Sequence, residues 1–380
     1  MQPMPLADLI DKGAHTMTVC NACRYCEQHC PVFPAMERRL SFEKADLVYL
    51  ANLCHNCGEC LYACPYAPPH EFGINVPTML AQIRVASYEE FAWPRAIAAR
   101  FRDPSARAAL GLAMVFSVAL ALPSLALAPK NLWPRDHMSD FYGVVSHDVM
   151  ITLFGGVFVF VVVALAMGVW RFWRHATTPA DDRGRLPASS ASKSKASAVG
   201  AVGRALGAAL TLRHLHPASV DCVSGEEDRS PWRRRCHHFT AYGFALCFAS
   251  TTVAAIYHGI FGWRAPYGYS SLPVLLGTIG GLGVIVGAVG LLVLRRARDV
   301  ALGANVQQGI DESFLALLLL TTVTGIALLM LRRLPVMGPL LIVHLGAVLA
   351  LFVTLPYGKF VHGFYRLAAL LIDANEQRSS

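Results

Sequence analysis

Eight cysteines near the N-terminus form two identical runs, Cys20, Cys23, Cys26, Cys30-Pro31 and Cys54, Cys57, Cys60, Cys64-Pro65. Each reads C-x2-C-x2-C-x3-C-P. Thiolates at this spacing hold [4Fe–4S] clusters: three neighbouring cysteines take one cluster and the fourth reaches across to the other. The crossed rule assigns Cys20, Cys23, Cys26 and Cys64 to one cluster, and Cys54, Cys57, Cys60 and Cys30 to a second. Zinc is the competing chemistry, because its sites also use C-x2-C pairs. A third cysteine followed by x3-C-P has no role in such a site, so the spacing selects iron. A chain built this way moves single electrons. Cys222, Cys236 and Cys247 stand alone and read as structural thiols.

The histidines form the second group. His344 and His362 bracket an apolar segment and are separated by five helical turns, roughly 27 Å along an axis, on one face. His237 and His238 open another such segment and His258 closes it. The two segments run in opposite directions, which puts His237 or His238 with His362, and His258 with His344. That is an arrangement for two b-type haems, each held by two histidines, one toward each membrane face. Helical phase favours His237 over His238. His147, at the outer end of a further segment, is an alternative outer ligand. The plainer reading is a set of interfacial histidines capping helix ends. His214 and His216 read as surface residues, and His29, His55 and His70 as neighbours of cluster sulfur.

What must position these groups is largely lipid-embedded. The chain of 380 residues is 54% hydrophobic and 15% charged, against about 25% charged in an ordinary soluble domain. The expected fold is an α+β soluble dicluster ferredoxin-like domain over residues 1–105, followed by an all-α bundle of six transmembrane helices over 106–375. Spans of roughly 20 apolar residues are expected at Ala108–Ala128, Val149–Trp170, Phe239–Ile260, Pro273–Leu294, Phe314–Leu331 and Pro339–Pro356, with Pro123 kinking the first. A helix is expected over Ala35–Leu53, between the cysteine runs. An amphipathic helix over Val76–Ala99 would seat the soluble domain on the membrane surface. The Ser/Ala/Lys/Arg-rich loop around 176–216 reads as disordered.

The net charge of +8 does not form a patch interleaved with aromatics, so nucleic acid is not an expected partner. Basic residues flank the apolar runs instead. Arg100, Arg102 and Arg107, the stretch from Arg171 to Arg235, and Arg295, Arg296 and Arg298 outweigh Lys130, Arg135, Arg264 and the contrary pair Arg332 and Arg333 in the alternate loops. Both termini and the cysteine domain are therefore expected in the cytoplasm, with the chain in the inner membrane. Cytoplasmic thiols stay reduced, as cluster cysteines require. The first residues carry neither a basic start nor a long apolar run, so no cleavable signal peptide is expected. Gly281, Gly283 and Gly287 lie inside an apolar span and serve close helix packing, not dinucleotide binding. No P-loop, nucleophile elbow or paired Cys-Cys occurs, so nothing obvious handles an organic substrate. The chain reads as an electron-transfer component, its standing as an enzyme left open.

The tandem cysteine motif, the six spans and two local segments carry a resemblance. Arg233–Arg235 leads into His237-His238-Phe239-Thr240-Ala241-Tyr242-Gly243-Phe244, followed by Ala254-Ala255-Ile256-Tyr257-His258. These resemble the tricarballylate-utilisation protein B family, also called citrate-utilisation protein B, over nearly the whole chain. The last span, with His344, Pro356-Tyr357-Gly358-Lys359 and His362, is similar to the haem-bearing end of nitrate reductase gamma subunits. The resemblance implies a membrane adaptor that re-oxidises a separate FAD-dependent dehydrogenase, tricarballylate dehydrogenase-like. Electrons would pass through clusters and haem to the membrane quinone. Two other uses stay open: a quinol-oxidising subunit feeding a cytoplasmic reductase, and a membrane-tethered redox sensor without haem.

Overall fold

A computed structural model describes residues 6–27, 30–101, 105–127, 129–133, 141–178, 195–215, 231–297, 300–302 and 305–377. The N-terminal part is built from α1 (Leu6–Cys23), α2 (Val32–Glu37), α3 (Lys44–Leu53), α4 (Glu59–Tyr62) and α5 (Val76–Phe91). Local sequence sets their starts. Glu43 and Asp46 form a capping box that opens α3. The Asn75 side chain accepts from the Thr78 N–H at 3.1 Å to open α5, with Pro77 in the first turn. Leu47, Leu50, Leu80, Ile83 and Met17 form the centre of the resulting core.

Among the described residues there is no β-strand, so the α+β expectation gives way to an all-helical domain. The segments beside the cysteine runs carry apolar residues at helical steps and not the alternation that pairs strands. A second difference concerns α5. Val76, Met79, Leu80, Ile83, Tyr88 and Phe91 are all buried, so the helix is enclosed and does not lie on a lipid surface. One side packs on the core. The other meets the ends of the long helices, through Phe91 against Phe172 (ring centres 5.9 Å apart) and Arg84 against Gln307.

Six helices are long and apolar enough to cross a membrane, and the chain is a membrane protein. They are α6 (Ala106–Leu127), α7 (His147–Thr177), then, after α8 (Lys195–Thr211), α9 (Trp232–Gly259), α10 (Leu272–Arg296), α11 (Asn305–Leu331) and α12 (Met337–Thr354), the last continued by α13 (Val361–Glu376). Each apolar run expected from the sequence lies within or overlaps one of them. Helix α8 falls in the loop expected to be disordered. Its Ala201 and Ala205, four residues apart, are buried, and Ala205 joins the core that Ala369 and Leu370 of α13 complete. Residues 179–194 and 216–230 of that loop lie outside the described residues.

Helices α9 and α10 approach until their backbones touch, which requires glycine. A Cβ on Gly243 would stand 2.7 Å from the Gly280 carbonyl oxygen, closer than real contacts allow. The sixth span is not one straight helix. Pro356 cannot donate to the ladder, and the chain passes through a 3-10 turn at Leu355–Tyr357 and extended Gly358 before α13 begins. His344 and His362 therefore stand on separate helices and do not share one face of one helix, contrary to the expectation.

Helix α13 also fastens the two parts together. Arg39, 1% exposed, donates to Asp46 Oδ1 at 2.6 Å and to Glu376 Oε1 at 2.8 Å, while Arg38 binds Asp373 and Glu376. The cysteine domain is thus clamped to the helix that leaves the last span.

Candidate electron-transfer site

Helix ends and tight turns present the cysteines. Cys20 and Cys23 occupy the last turn of α1, which stops where Arg24 adopts a left-handed backbone (φ 55°) and returns its N–H to the Cys20 carbonyl at 2.8 Å. The second run repeats the device: Cys54 ends α3, Asn56 is left-handed (φ 52°), and Gly58 (φ 97°) precedes α4, which carries Cys60. A side chain at Gly58 is doubly excluded, by its backbone and by Leu302 Cδ2 2.8 Å from where a Cβ would stand.

Two neighbouring cavities result. One, enclosing about 360 Å³ up to its opening, is lined by Cys20, Cys23, Cys26 and Cys64, with Cys60 at its edge. The other, about 380 Å³, is lined by Cys30, Cys54, Cys57 and Cys60. Phe33, Cys60 and Val76 line both, so little more than an apolar wall separates them. The first lies at the surface, where Cys23 is exposed and Tyr25 is 58% exposed. The second lies deeper, beside His55 (5% exposed) and fully buried Leu80.

The electrostatics of the thiols indicate what these cavities can hold. Burial, and then Cys64, Cys26 and Cys23, push the Cys20 thiol up to about 12. Burial, then Cys64 and Cys23, push Cys26 to about 12. Cys30 and Cys60 are raised well above the usual range, by burial and by the other thiols of the second set. Four crowded sulfurs become anionic together only around a compensating cation. Backbone N–H groups already aim at them: Asn56 donates to Cys54 Sγ at 3.3 Å, and Val32 and Phe33 to Cys30. Among the described residues, no three His, Cys, Asp or Glu side chains converge closely enough to hold one isolated ion. The donor set fits a cage with several irons and bridging sulfides.

The histidines group differently from the expectation. His237 and His362 face each other with ring centres 6.0 Å apart and planes at 77°. Two imidazoles bound on opposite sides of one metal at about 2.0–2.1 Å put their ring centres roughly 6 Å apart. His362 Nδ1 donates to the Lys359 carbonyl at 2.5 Å, which leaves Nε2 free, and the buried Nδ1 of His237 has no hydrogen-bond partner. His238 turns instead to Tyr242. His344 does not meet His258. Its Nδ1 donates to Thr324 Oγ1 (3.1 Å), which itself donates to the Leu320 carbonyl, and among the described residues no histidine ring contacts it. His258 lies against His147, ring centres 3.8 Å apart, and against Tyr142. That spacing is too short for two ligands on opposite sides of one iron.

Other side chains gather here that the sequence did not single out. Arg84 and Arg366 both donate to the Cys54 carbonyl, at 2.8 and 2.7 Å, and Arg233 to the Asn56 carbonyl at 3.1 Å. Asn75 and Thr78 hold the Ala301 carbonyl at 2.8 and 2.7 Å, seating Leu302 over Gly58. His214, expected at the surface, packs edge-on against His55 at 5.5 Å, and burial first, then Arg213 and Arg366, lower its pKa. His70 packs edge-on against Tyr66 and Phe72. Cys236 packs against Gly290, and Cys247 lies half-buried near Gly277. His29, His216 and Cys222 lie outside the described residues.

No solved structure matches the chain. Citrate utilization protein B of Escherichia coli is 49% identical over 364 residues, covering 95% of this chain and 91% of that protein. The pattern of the citrate utilization protein B family matches residues 103–380, and that of its Fer4-like domain matches residues 13–90, the segment that contains all eight cysteines of the two cavities. With its Fer4-like domain and helical membrane part, the chain belongs to the citrate utilization protein B family.

Proposed function

We propose that this chain is a membrane electron conduit. It re-oxidises a cytoplasmic FAD-dependent dehydrogenase of the tricarballylate dehydrogenase type and delivers the electrons to the quinone pool. Support comes from one arrangement above all: a surface cavity of cysteines, a deeper one sharing a wall with it, and the His237–His362 pair beyond, on helices α9 and α13 that Arg233 and Arg366 tie to the second cavity. The related family and protein are named for citrate utilization, which supports a role in the use of such an organic acid. In this reading the cysteine domain and both termini are cytoplasmic and the helices span the inner membrane, in keeping with the basic loops.

Cys20, Cys23, Cys26 and Cys64 would hold one [4Fe–4S] cluster, Cys30, Cys54, Cys57 and Cys60 the other, and His237 with His362 a b-type haem. These groups, when bound, supply one-electron steps between a two-electron flavin and a lipid-soluble acceptor. The protein's own part is positioning and exclusion. Phe33 and Val76 keep water from the wall between the cavities. Leu302 packs against Gly58, which lines the second cavity. The Lys359 carbonyl fixes the His362 tautomer and would leave Nε2 available as a ligand. His344 has the same tautomer through Thr324 and stands as a further ligand candidate deep in the bundle.

The test is the cofactor content of detergent-purified protein. About eight irons in clusters with b-type haem absorbance, and cluster reduction by a reduced flavoprotein, are expected. Protein without haem, or clusters that reduced flavoprotein leaves oxidised, would refute the conduit.

A further inference from the structure

Three arginines from distant parts of the chain meet on one loop. Arg84 and Arg366 share the Cys54 carbonyl, and Arg233 takes that of Asn56. Between those carbonyls lies the buried side chain of His55. Arg84 is 4% exposed, and its other nitrogen meets the neutral amide of Gln307. Among the described residues no carboxylate pairs with any of the three. Arginine does not shed its proton, and unpaired cations gathered in a half-buried region are costly. Their common neighbour is the cavity lined by Cys30, Cys54, Cys57 and Cys60. A [4Fe–4S] core with four thiolates is a net anion in both of its usual oxidation states, so the charges complement each other.

We propose that Arg366, supported by Arg84 and Arg233, is a positioning residue that raises the reduction potential of the cluster in the second cavity. The inference rests on the conduit reading above. An added electron adds negative charge, and a fixed cation stabilises the reduced form. Arg366 follows His362 by one helical turn, so both stand on one face of α13. The same rigid helix therefore faces His237 with one side chain and grips the Cys54 loop with the other. That grip holds cavity and histidine pair in register, and the charge makes the deeper site the better electron acceptor.

The experiment is an EPR-monitored redox titration of the full-length protein, wild type against Arg366→Gln and Arg366→Lys. With an effective dielectric of about 20 and a separation on the order of 10 Å, one lost charge shifts the equilibrium roughly tenfold. That is about 59 mV for one electron. The Gln variant lowers one cluster's midpoint by this amount and leaves the other cluster in place, and the Lys variant, which keeps the charge, stays near wild type. Unchanged midpoints in the Gln variant, or an equal fall of both, overturn the proposal. Should that variant not accumulate, Arg233→Gln carries the same test, with a fall of one midpoint expected and no change refuting. A wild-type protein without two cluster signals would refute the conduit itself, whereas two signals with unmoved midpoints refute only the role of Arg366.

Discussion

Replacing Arg39 by methionine tests the clamp between the cysteine domain and the last helix. Methionine keeps the apolar stem, so the change removes the charge, the bonds to Asp46 (2.6 Å) and Glu376 (2.8 Å), and the stacking over Tyr49 (4.6 Å). Asp46 is 4% exposed and loses the Arg39 guanidinium. Stranding one partner of a buried pair costs about 3–5 kcal/mol. The surviving Arg38–Glu376 contact at 3.2 Å is partly exposed and offsets about 1 kcal/mol at most. With every 1.4 kcal/mol worth tenfold, opening of this region becomes roughly 10²- to 10³-fold more frequent. Hydrogen exchange with mass spectrometry reads that directly. Amides of α3 and the second half of α13 exchange faster by that factor, while α9 and α10 keep wild-type protection. Arg39→Met with Asp46→Asn removes both charges, keeps the cap acceptor and recovers most of the protection. Wild-type exchange in the single variant, or no recovery in the double, refutes the reasoning.

Three further outcomes are expected. Gly58→Ala forces a φ of 97° on a residue with a side chain, costing about 1–2 kcal/mol, and sets a Cβ 2.8 Å from Leu302. Iron per chain falls from about eight toward about four, and undiminished iron would refute Gly58's role in shaping the second cavity. His362→Ala abolishes the reduced b-haem band and leaves cluster EPR intact, whereas His147→Ala leaves the band unchanged. The reverse pattern would move the haem to the outer face. Gly243→Val drives a side chain into the Gly280 carbonyl and overpacks the α9–α10 contact by about 1–3 kcal/mol. A lower midpoint of thermal inactivation is expected, and an unchanged one would show that the helices have room to part.

The cysteine spacing was sufficient to group the thiols around two cavities, because the short turns between neighbouring cysteines leave them little freedom. The spans were equally legible, since lipid demands about 20 apolar residues wherever a helix crosses. What failed did so where a local signal was outvoted. The helical phase from His344 to His362 assumed an unbroken helix, yet Pro356 and Gly358 stand between them and break it. The sequence around Lys195–Thr211 looked featureless because alanines, not large apolar residues, make its packed face. The arginines around Cys54 could not be read at all. Arg366 lies 312 residues from Cys54, and no periodicity reports a contact that only tertiary folding creates.

That long span has a meaning in time. A chain made from its N-terminus at about 5–20 residues per second exposes Cys54 on the order of 15–60 s before Arg366 exists. Leu302, the lid over Gly58, also arrives late, and the α13 carboxylates that lock Arg38 and Arg39 later still. Throughout synthesis the second cysteine set therefore stands open on the sides that the finished molecule covers. The contacts that cover the second cysteine set are thus among the last to form, because they wait for α13 to be made and to dock.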